Sequence, residues 1–362
     1  MTITKLAIER VTGRSGWSTL YITAATDEGH EAIYGPIDAE AAIVADRMLS
    51  PRVVGRDPFG HEAIWNDLFE ADRHSRGSHY FMGISAIDNV LWDLKGRILG
   101  LPVYRLLGGD RRTLDVYGSC LGFSTEPGPM ASKATELKAK GYARQKWFLN
   151  DTRPEQGPAT LDANVEKVRV LREALGSDAD IMIDVLYKWD LPYAAAWAQR
   201  AEQYHIRWLE EPVRSATLDA FVELARSTSV PIATGEHFYG RWDVQSFLER
   251  DAIRIVQADP EWCGGVSELV KICAIASVHG AYVIPHGHSL HAAMHVVAAQ
   301  SPTVCPLVEY LINKMEGEWY SLEADPPRAK DGTITIADRP GFGIELDEAR
   351  VAEREVISWR EV

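Results

Sequence analysis

The sequence predicts an α/β fold: a closed (β/α) barrel over residues 114–324, joined to a second, α+β domain assembled from residues 1–113 and 325–362. Three observations predict it. Strand-like runs recur at 114–120, 142–148, 180–185, 206–211, 231–236, 253–259, 281–286 and 306–311, with helical patterns filling most of the gaps. An acidic residue closes three of these runs at equal steps of 26 residues, at Asp184, Glu210 and Glu236. That is about the length of a strand, a loop and a helix, so the spacing brings three carboxylates to one rim. Finally, 362 residues at 46% hydrophobic content leave room for a barrel and a further domain. An open doubly wound sheet competes with this solution, but it would not put chemically active residues at the C-terminal ends of so many successive strands.

The elements follow in order. Leu6-Ala7-Ile8-Glu9-Arg10-Val11 and Leu20-Tyr21-Ile22-Thr23-Ala24 alternate apolar and polar residues, the pattern of antiparallel strands. Between them, the glycine-punctuated loop Thr12 to Ser18 carries Arg14 and Trp17, and reads either as a solvated turn or as a lid over a polar substrate. Helical patterns begin at Asp38, a plausible N-cap, and at His61. In Ser85 to Leu99, apolar residues at 87, 90, 91, 94 and 98 share one helical face, and Gly100 and Pro102 end the run, so this is a core helix. Leu106-Leu107-Gly108-Gly109 reads as a turn out of the domain. After Met315 the alternation stops, and Asp331 to Ile336 predicts a hairpin returning to the N-terminal sheet.

Composition narrows the function. A formal net charge of -14 argues against a nucleic-acid surface and against anionic membranes, so an anionic substrate needs local positive charge. No apolar run approaches the ~20 residues of a membrane span, and Met1-Thr2-Ile3-Thr4-Lys5 lacks a signal-peptide pattern, so the expectation is a soluble, cytoplasmic protein. Cys120, Cys263, Cys273 and Cys305 show no zinc-site spacing and read as reduced packing thiols. His291 and His295 lie one helical turn apart, but residue 292 is alanine where a zinc protease needs glutamate, which favours structural histidines. No nucleophile elbow, P-loop or dinucleotide fingerprint is present.

Three carboxylates converging without a cation would repel one another, so Asp184, Glu210 and Glu236 read as ligands of a divalent metal. Three further runs end in Asp259, in His286 and at Glu309. On the barrel reading these reach the same rim. There Asp259 can orient His286 and raise its pKa, making a base for a proton next to a carboxylate. A protonated Glu309 can then donate to the developing enediolate.

These residues resemble the enolase superfamily, in its mandelate racemase branch. The resemblance is carried by Ser85-Ala86-Ile87-Asp88 through Trp92-Asp93-Leu94-Lys95-Gly96, Leu106-Leu107-Gly108-Gly109, Glu210-Glu211-Pro212, Gly235-Glu236-His237, Asp259-Pro260 with Gly264-Gly265, and Pro340-Gly341-Phe342-Gly343. It implies a modified TIM (β/α) barrel under an α+β capping domain, one Mg2+ held by Asp184, Glu210 and Glu236, an Asp259–His286 catalytic dyad, Glu309 as partner of the enolate, and a homo-oligomer. Racemases of this branch carry Lys-x-Lys on the second strand. This chain has Lys146-Trp147-Phe148, with phenylalanine where the second base would stand. The pattern is therefore similar to the L-rhamnonate dehydratase-like acid-sugar dehydratases, in which one histidine serves first as base and then as acid, and it implies a sugar-acid substrate. An epimerase or cycloisomerase, and a non-catalytic sugar-acid-binding relative, are the alternatives. Lys146 is expected to bind the substrate carboxylate or to neutralise the acids. His237, Trp147, Arg14 and Trp17 are the candidate substrate contacts.

Overall fold

The computed structural model describes residues 1–74, 77–149, 154–157 and 159–360, so residues 361 and 362 of the expected second-domain segment lie outside the described residues. Two sheets organise it. In the first, β1 (Ile3–Gly13), β2 (Ser18–Thr26), β3 (Glu31–Ile37) and β13 (Val351–Ile357) are antiparallel in the order β13-β1-β2-β3. The second holds the eight runs read from sequence as parallel strands: β4 (Thr113–Ser119), β5 (Arg144–Phe148), β6 (Asp180–Asp184), β7 (Trp208–Glu210), β8 (Ile232–Thr234), β9 (Ile255–Val256), β10 (Tyr282–Val283) and β11 (Val308–Leu311). β11 pairs with β4, which brings the row round on itself. Closure is incomplete, since among the described residues β10 and β11 share no ladder, and the hydrogen bond from Val283 N to Val304 O (2.8 Å) bridges that seam.

One expectation is corrected. The strand from Thr333 to Thr335, β12, does not return to the N-terminal sheet; it pairs antiparallel with β4 of the barrel, Thr333 opposite Asp115 and Thr335 opposite Thr113. The chain reaches the N-terminal sheet only at β13, through Ile357 opposite Ile8. A short alternating run specifies a strand but not its partner.

Inside the barrel, Tyr117, Met182, Trp208, Ala233, Ile255, Ile284 and Leu307 form a separate apolar cluster. Because side chains alternate along a strand, the inward residue two positions further on lies one layer higher. That upper layer is Ser119, Asp184, Glu210, Gly235, Gln257, His286 and Glu309. The apolar plug thus lies directly beneath a polar layer.

The helix Ser78–Leu99, ended by Gly100 in the left-handed region (φ 67°), docks the cap onto the barrel. Its buried polar residues bind the loop after β9. Ser85 Oγ accepts from Gly264 N (2.9 Å), Asn89 Oδ1 from Val266 N (3.0 Å), and Asp88 from both Ser267 N (2.9 Å) and Ser267 Oγ (2.6 Å). Burial pushes the Asp88 carboxyl up to about 7, with the Ser267 bonds pulling the other way. A side chain at Gly265 would strike Asp88, its Cβ 2.4 Å from Oδ2. At the tail, Phe342 N donates to Asp93 (2.8 Å), and a Cβ at Gly96 would lie 2.5 Å from the Gly341 backbone, so the Pro340-Gly341-Phe342-Gly343 motif is a packing element.

Asp88→Ala leaves the Ser267 donors unsatisfied in the interior and is expected to destabilise the protein by roughly 2–4 kcal/mol. Val278→Ser, at a position 84% exposed, should change stability by less than about 0.5 kcal/mol. Urea denaturation of the two variants against the wild-type chain checks both.

Candidate active site

The polar layer is built around one ammonium. Lys146, on β5, is 1% exposed, and its Nζ contacts Glu210 Oε1, lies 2.9 Å from Glu309 Oε1 and lies 3.3 Å from Asp184 Oδ2. Since Lys146 pairs with Met182 across β5 and β6, its backbone lies at the level of the plug and its side chain rises into the acids. Asp184 and Glu210 are direct neighbours in register, whereas the partner of Glu210 on β8 is Ala233, so Glu236 lies beyond the strand end. Trp208 Nε1 donates to Glu210 Oε2 (2.9 Å) and Leu186 N to Asp184 Oδ1 (2.9 Å).

On the other side, His286 Nδ1 is 2.7 Å from Asp259 Oδ2, while Nε2 opens towards Glu236 Oε2 at 3.5 Å. The backbone N–H of Glu261 donates to Asp259 Oδ1 (2.7 Å) and holds that carboxylate in place. His237 stands at the mouth, its side chain 42% exposed, with Nδ1 3.3 Å from Glu236 and 3.4 Å from Glu211.

Burial dominates the electrostatics. It pushes Asp184 and Glu236 up to about 7 and Glu211 to about 8, and it raises Glu210 as well, with Lys146 or His286 offsetting only part. On His286, burial acts downward but is outweighed by Glu236 and by the bond and charge of Asp259, which raise it to about 10. Glu309 differs from its neighbours. Burial acts upward on it too, but Lys146 and His286 outweigh burial and hold it below the usual carboxylate range. Its second oxygen accepts from Gly287 N (2.9 Å). In this arrangement the ammonium 2.9 Å away favours the ionised form of Glu309 and pairs it with Lys146, which weighs against the expected protonated donor.

The donor set fits a hard divalent cation. Carboxylate oxygens predominate, as such ions prefer, and a cation is the species that would hold this many buried acids ionised. Asp184 Oδ2 is buried and accepts no hydrogen bond. Donor atoms of Glu211, Glu236 and His237 lie within 4.8 Å of one another, a set that overlaps the expected trio only at Glu236.

Glu211 is the residue that reading by alternation missed. A strand places neighbours on opposite faces, yet Glu211, 1% exposed, reaches the site behind Glu210 because its φ of 47° breaks the extended path. Gln257 was missed too. It is 1% exposed in the polar layer, and neither its Oε1 nor its Nε2 has a hydrogen-bond partner. Its place two residues before Asp259 was the available signal.

Trp147 does not join the site. It is fully buried on the opposite face of β5 from Lys146, with Nε1 donating to Gln145 Oε1 (3.0 Å) and its ring near Phe123, so the substrate-contact expectation is corrected. Adjacent strand residues cannot both face the barrel interior. Arg14 is exposed, and its Nε donates to Ala349 O (2.9 Å), away from the acids. The loop bearing Arg14 and Trp17 does reach the segment after β11, where Ser15 Oγ is 3.5 Å from Glu318. Trp17 lies in that loop, half-buried, and among the described residues no hydrogen bond joins it to the acids. His291 pairs with Glu323 (2.9 Å) and His295 accepts from Tyr104 N (3.1 Å), both structural roles, and all four cysteines are free and buried.

Comparison with known proteins identifies the family. Residues 129–350 match the family model described as enolase C-terminal domain-like, and residues 19–108 match the mandelate racemase / muconate lactonizing enzyme N-terminal domain. The chain belongs to the enolase superfamily, in its mandelate racemase branch. It is similar to a D-galactonate dehydratase of Xanthomonas oryzae pv. oryzae, 32% identical over 360 residues that cover 96% of this chain and 93% of the relative. An L-rhamnonate dehydratase of Saccharopolyspora erythraea is 32% identical over 84% of this chain and 77% of its own. A D-galactarolactone cycloisomerase of Agrobacterium fabrum is 31% identical over 88% and 85%. Among solved structures, a member of the enolase superfamily from Salmonella Typhimurium superposes with a TM-score of 0.88 at 26% identity, covering 99% of this chain and 100% of that one. No helix among the described residues is long and apolar enough to cross a membrane.

Lys146→Met leaves Glu210, Glu309 and Asp184 buried without their shared counter-charge, and should cost about 3–5 kcal/mol in metal-free protein. Denaturant midpoints with and without added Mg2+ check this. The deficit should shrink as the ion is titrated in.

Proposed function

We propose that this chain is a Mg2+-dependent acid-sugar dehydratase. It takes the proton α to the carboxylate of an aldonate-type substrate and expels the β-hydroxyl, giving a 2-keto-3-deoxy acid. The observation that carries this reading is that the proton machinery is one-sided. His286, tied to Asp259 at 2.7 Å, opens a single nitrogen to the site, while Phe148, paired with Asp184 across β5 and β6, occupies the place of a second base.

Asp184, Glu210 and Glu236 would hold the ion, flanked by Glu211 and His237. Bound there, Mg2+ supplies Lewis-acid stabilisation of the charge that develops on the substrate carboxylate. Asp259 keeps the imidazole hydrogen on Nδ1, so that Nε2 is the atom that takes the α-proton and later returns it to the departing hydroxyl. Glu236 is the largest of the influences raising His286, so neutralising that carboxylate brings the imidazole down towards the range of a working base. Lys146 places fixed positive charge beside Asp184 and Glu210, and Glu309 anchors it.

The dehydratase relatives support this reading, and so does the resemblance through Gly235-Glu236-His237. The cycloisomerase relative makes isomerisation the competing outcome. We read the protein further as cytoplasmic and homo-oligomeric, with a small-molecule sugar acid as its partner.

His286→Asn should still be stabilised by Mg2+ in a thermal melt yet lose at least about 10²-fold in 2-keto acid formation with every sugar acid offered. Retained turnover in that variant overturns the assignment. Solvent deuterium entering the α-carbon of recovered acid without loss of water marks the isomerase instead.

A further inference from the structure

Beyond the acids stands a polar group that the reaction above leaves unused. Trp262 packs against His237 (5.6 Å between ring centroids), His286 (5.0 Å) and His288 (4.9 Å), and His288 meets the edge of Trp319 at 5.3 Å. This row of rings leads from Glu236 to Lys314, on the helix Ile312–Met315 after β11. Lys314 Nζ is 3.7 Å from the centroid of Trp319 and 3.0 Å from His288 Nδ1. The far side of His288, Nε2, is 3.0 Å from Asp38 Oδ1 at the end of β3, and Asp38 Oδ2 accepts from Trp262 Nε1 at 3.0 Å.

The chemistry of this chain of contacts is directional. An ammonium only donates, so in this bond His288 Nδ1 is the acceptor and Nε2 is the nitrogen turned to Asp38. Lys314 is thereby fixed in place but not neutralised, because among the described residues no carboxylate lies within 4 Å of its Nζ. Burial pushes its pKa down to about 8, against the more distant pull of Asp38, Asp259 and Glu261. A half-buried ammonium without an anion is costly, and this one retains two N–H donors beyond the bond to His288. Trp262, His286, His288, Lys314 and Asp38 are all partly exposed, whereas Ser289 and Met315 beside them are buried.

We propose that Lys314, held by His288 and Asp38, receives a second carboxylate of the substrate, so that the preferred substrates are sugar diacids with a carboxylate at each end. This rests on the dehydratase reading for the placement of the first carboxylate at the acids. A carboxylate supplies both the charge and the paired acceptors that Lys314 lacks, whereas a sugar hydroxyl supplies an acceptor alone. Asp38 is a positioning residue in this arrangement: it fixes the His288 tautomer, and through it ties the N-terminal sheet to the recognition of the substrate's far end.

The test uses the Mg2+-loaded protein with six-carbon sugar diacids and the monoacids of matching configuration. 2-Keto product gives kcat and KM, and the thermal shift of His286→Asn gives binding without turnover. Diacids should be favoured by at least about tenfold in kcat/KM, the scale of one charge-assisted contact. Lys314→Met should bring that ratio near one, chiefly through KM, whereas Lys314→Arg should keep most of it. Should Lys314→Met fail to fold, the wild-type ratio and Lys314→Arg decide the question. Monoacids handled as well as diacids, or a ratio that Lys314→Met leaves unmoved while keto acid still forms, overturns the assignment of Lys314 and leaves the dehydratase standing. Lys314-dependent stabilisation of His286→Asn by diacids, with no keto acid from any substrate, overturns the dehydratase and supports the diacid site.

Discussion

A single buried ammonium holds the centre of this molecule together. Lys146 lies among Asp184, Glu210 and Glu309, with burial opposing its charge and the three carboxylates more than restoring it, so that its pKa is driven well above the ordinary value. One positive charge cannot satisfy all the acids gathered there. Glu309 takes enough of it to stay ionised, while Asp184, Glu211 and Glu236 are left pushed towards neutrality. That imbalance is the physical basis for expecting a second cation, and it stores the electrostatic potential that an enolate-forming site needs.

The acids can be concentrated in this way because of what lies beneath and above them. Below, the apolar layer of Tyr117, Met182, Trp208, Ile255, Ile284 and Leu307 seals the barrel and keeps the dielectric low. Above, the cap is fixed by hydrogen bonds as well as by apolar packing. Ser85, Asp88 and Asn89 bind successive backbone groups of the loop from Gly264 to Ser267, the same loop that begins at Asp259. A helix of the N-terminal region thus shares one rigid segment with the catalytic dyad, and Asp38 and Ser15 reach the cleft from the same side. Cap position and site geometry are for this reason mechanically linked.

Much of this was legible in the chain itself. Asp184, Glu210, His286 and Glu309 each follow an inward apolar residue by two positions, and that period exposes them to pattern reading wherever the strand stays extended. The same rule, applied strictly, would have removed Trp147, since the neighbour of an inward Lys146 must point outward. Glu211 defeats the rule because its backbone leaves the extended region, and a positive φ at glutamate has no signature in sequence. The charge of Glu309 was hidden for a different reason: it depends on an ammonium 163 residues away in the chain. β12 was recognised as a strand but given the wrong partner, because alternation says nothing about which strand it will pair with.

By itself, then, the sequence determined the local and periodic features: eight strands, the core helix through Ser85–Leu99, which the structure extends back to Ser78, the layer in which Asp184, Glu210 and Glu309 lie, and the family to which these motifs belong. Tertiary structure alone decided the contacts between residues distant in the chain. It chose which carboxylate takes the charge of Lys146, drew Glu211 and Gln257 into the site, and joined Asp38, His288 and Lys314 across three separate segments. The physical reason is that strand and helix periods are set by backbone geometry within a few residues, whereas the charge state of a buried group is set by whatever the fold brings within a few ångströms of it.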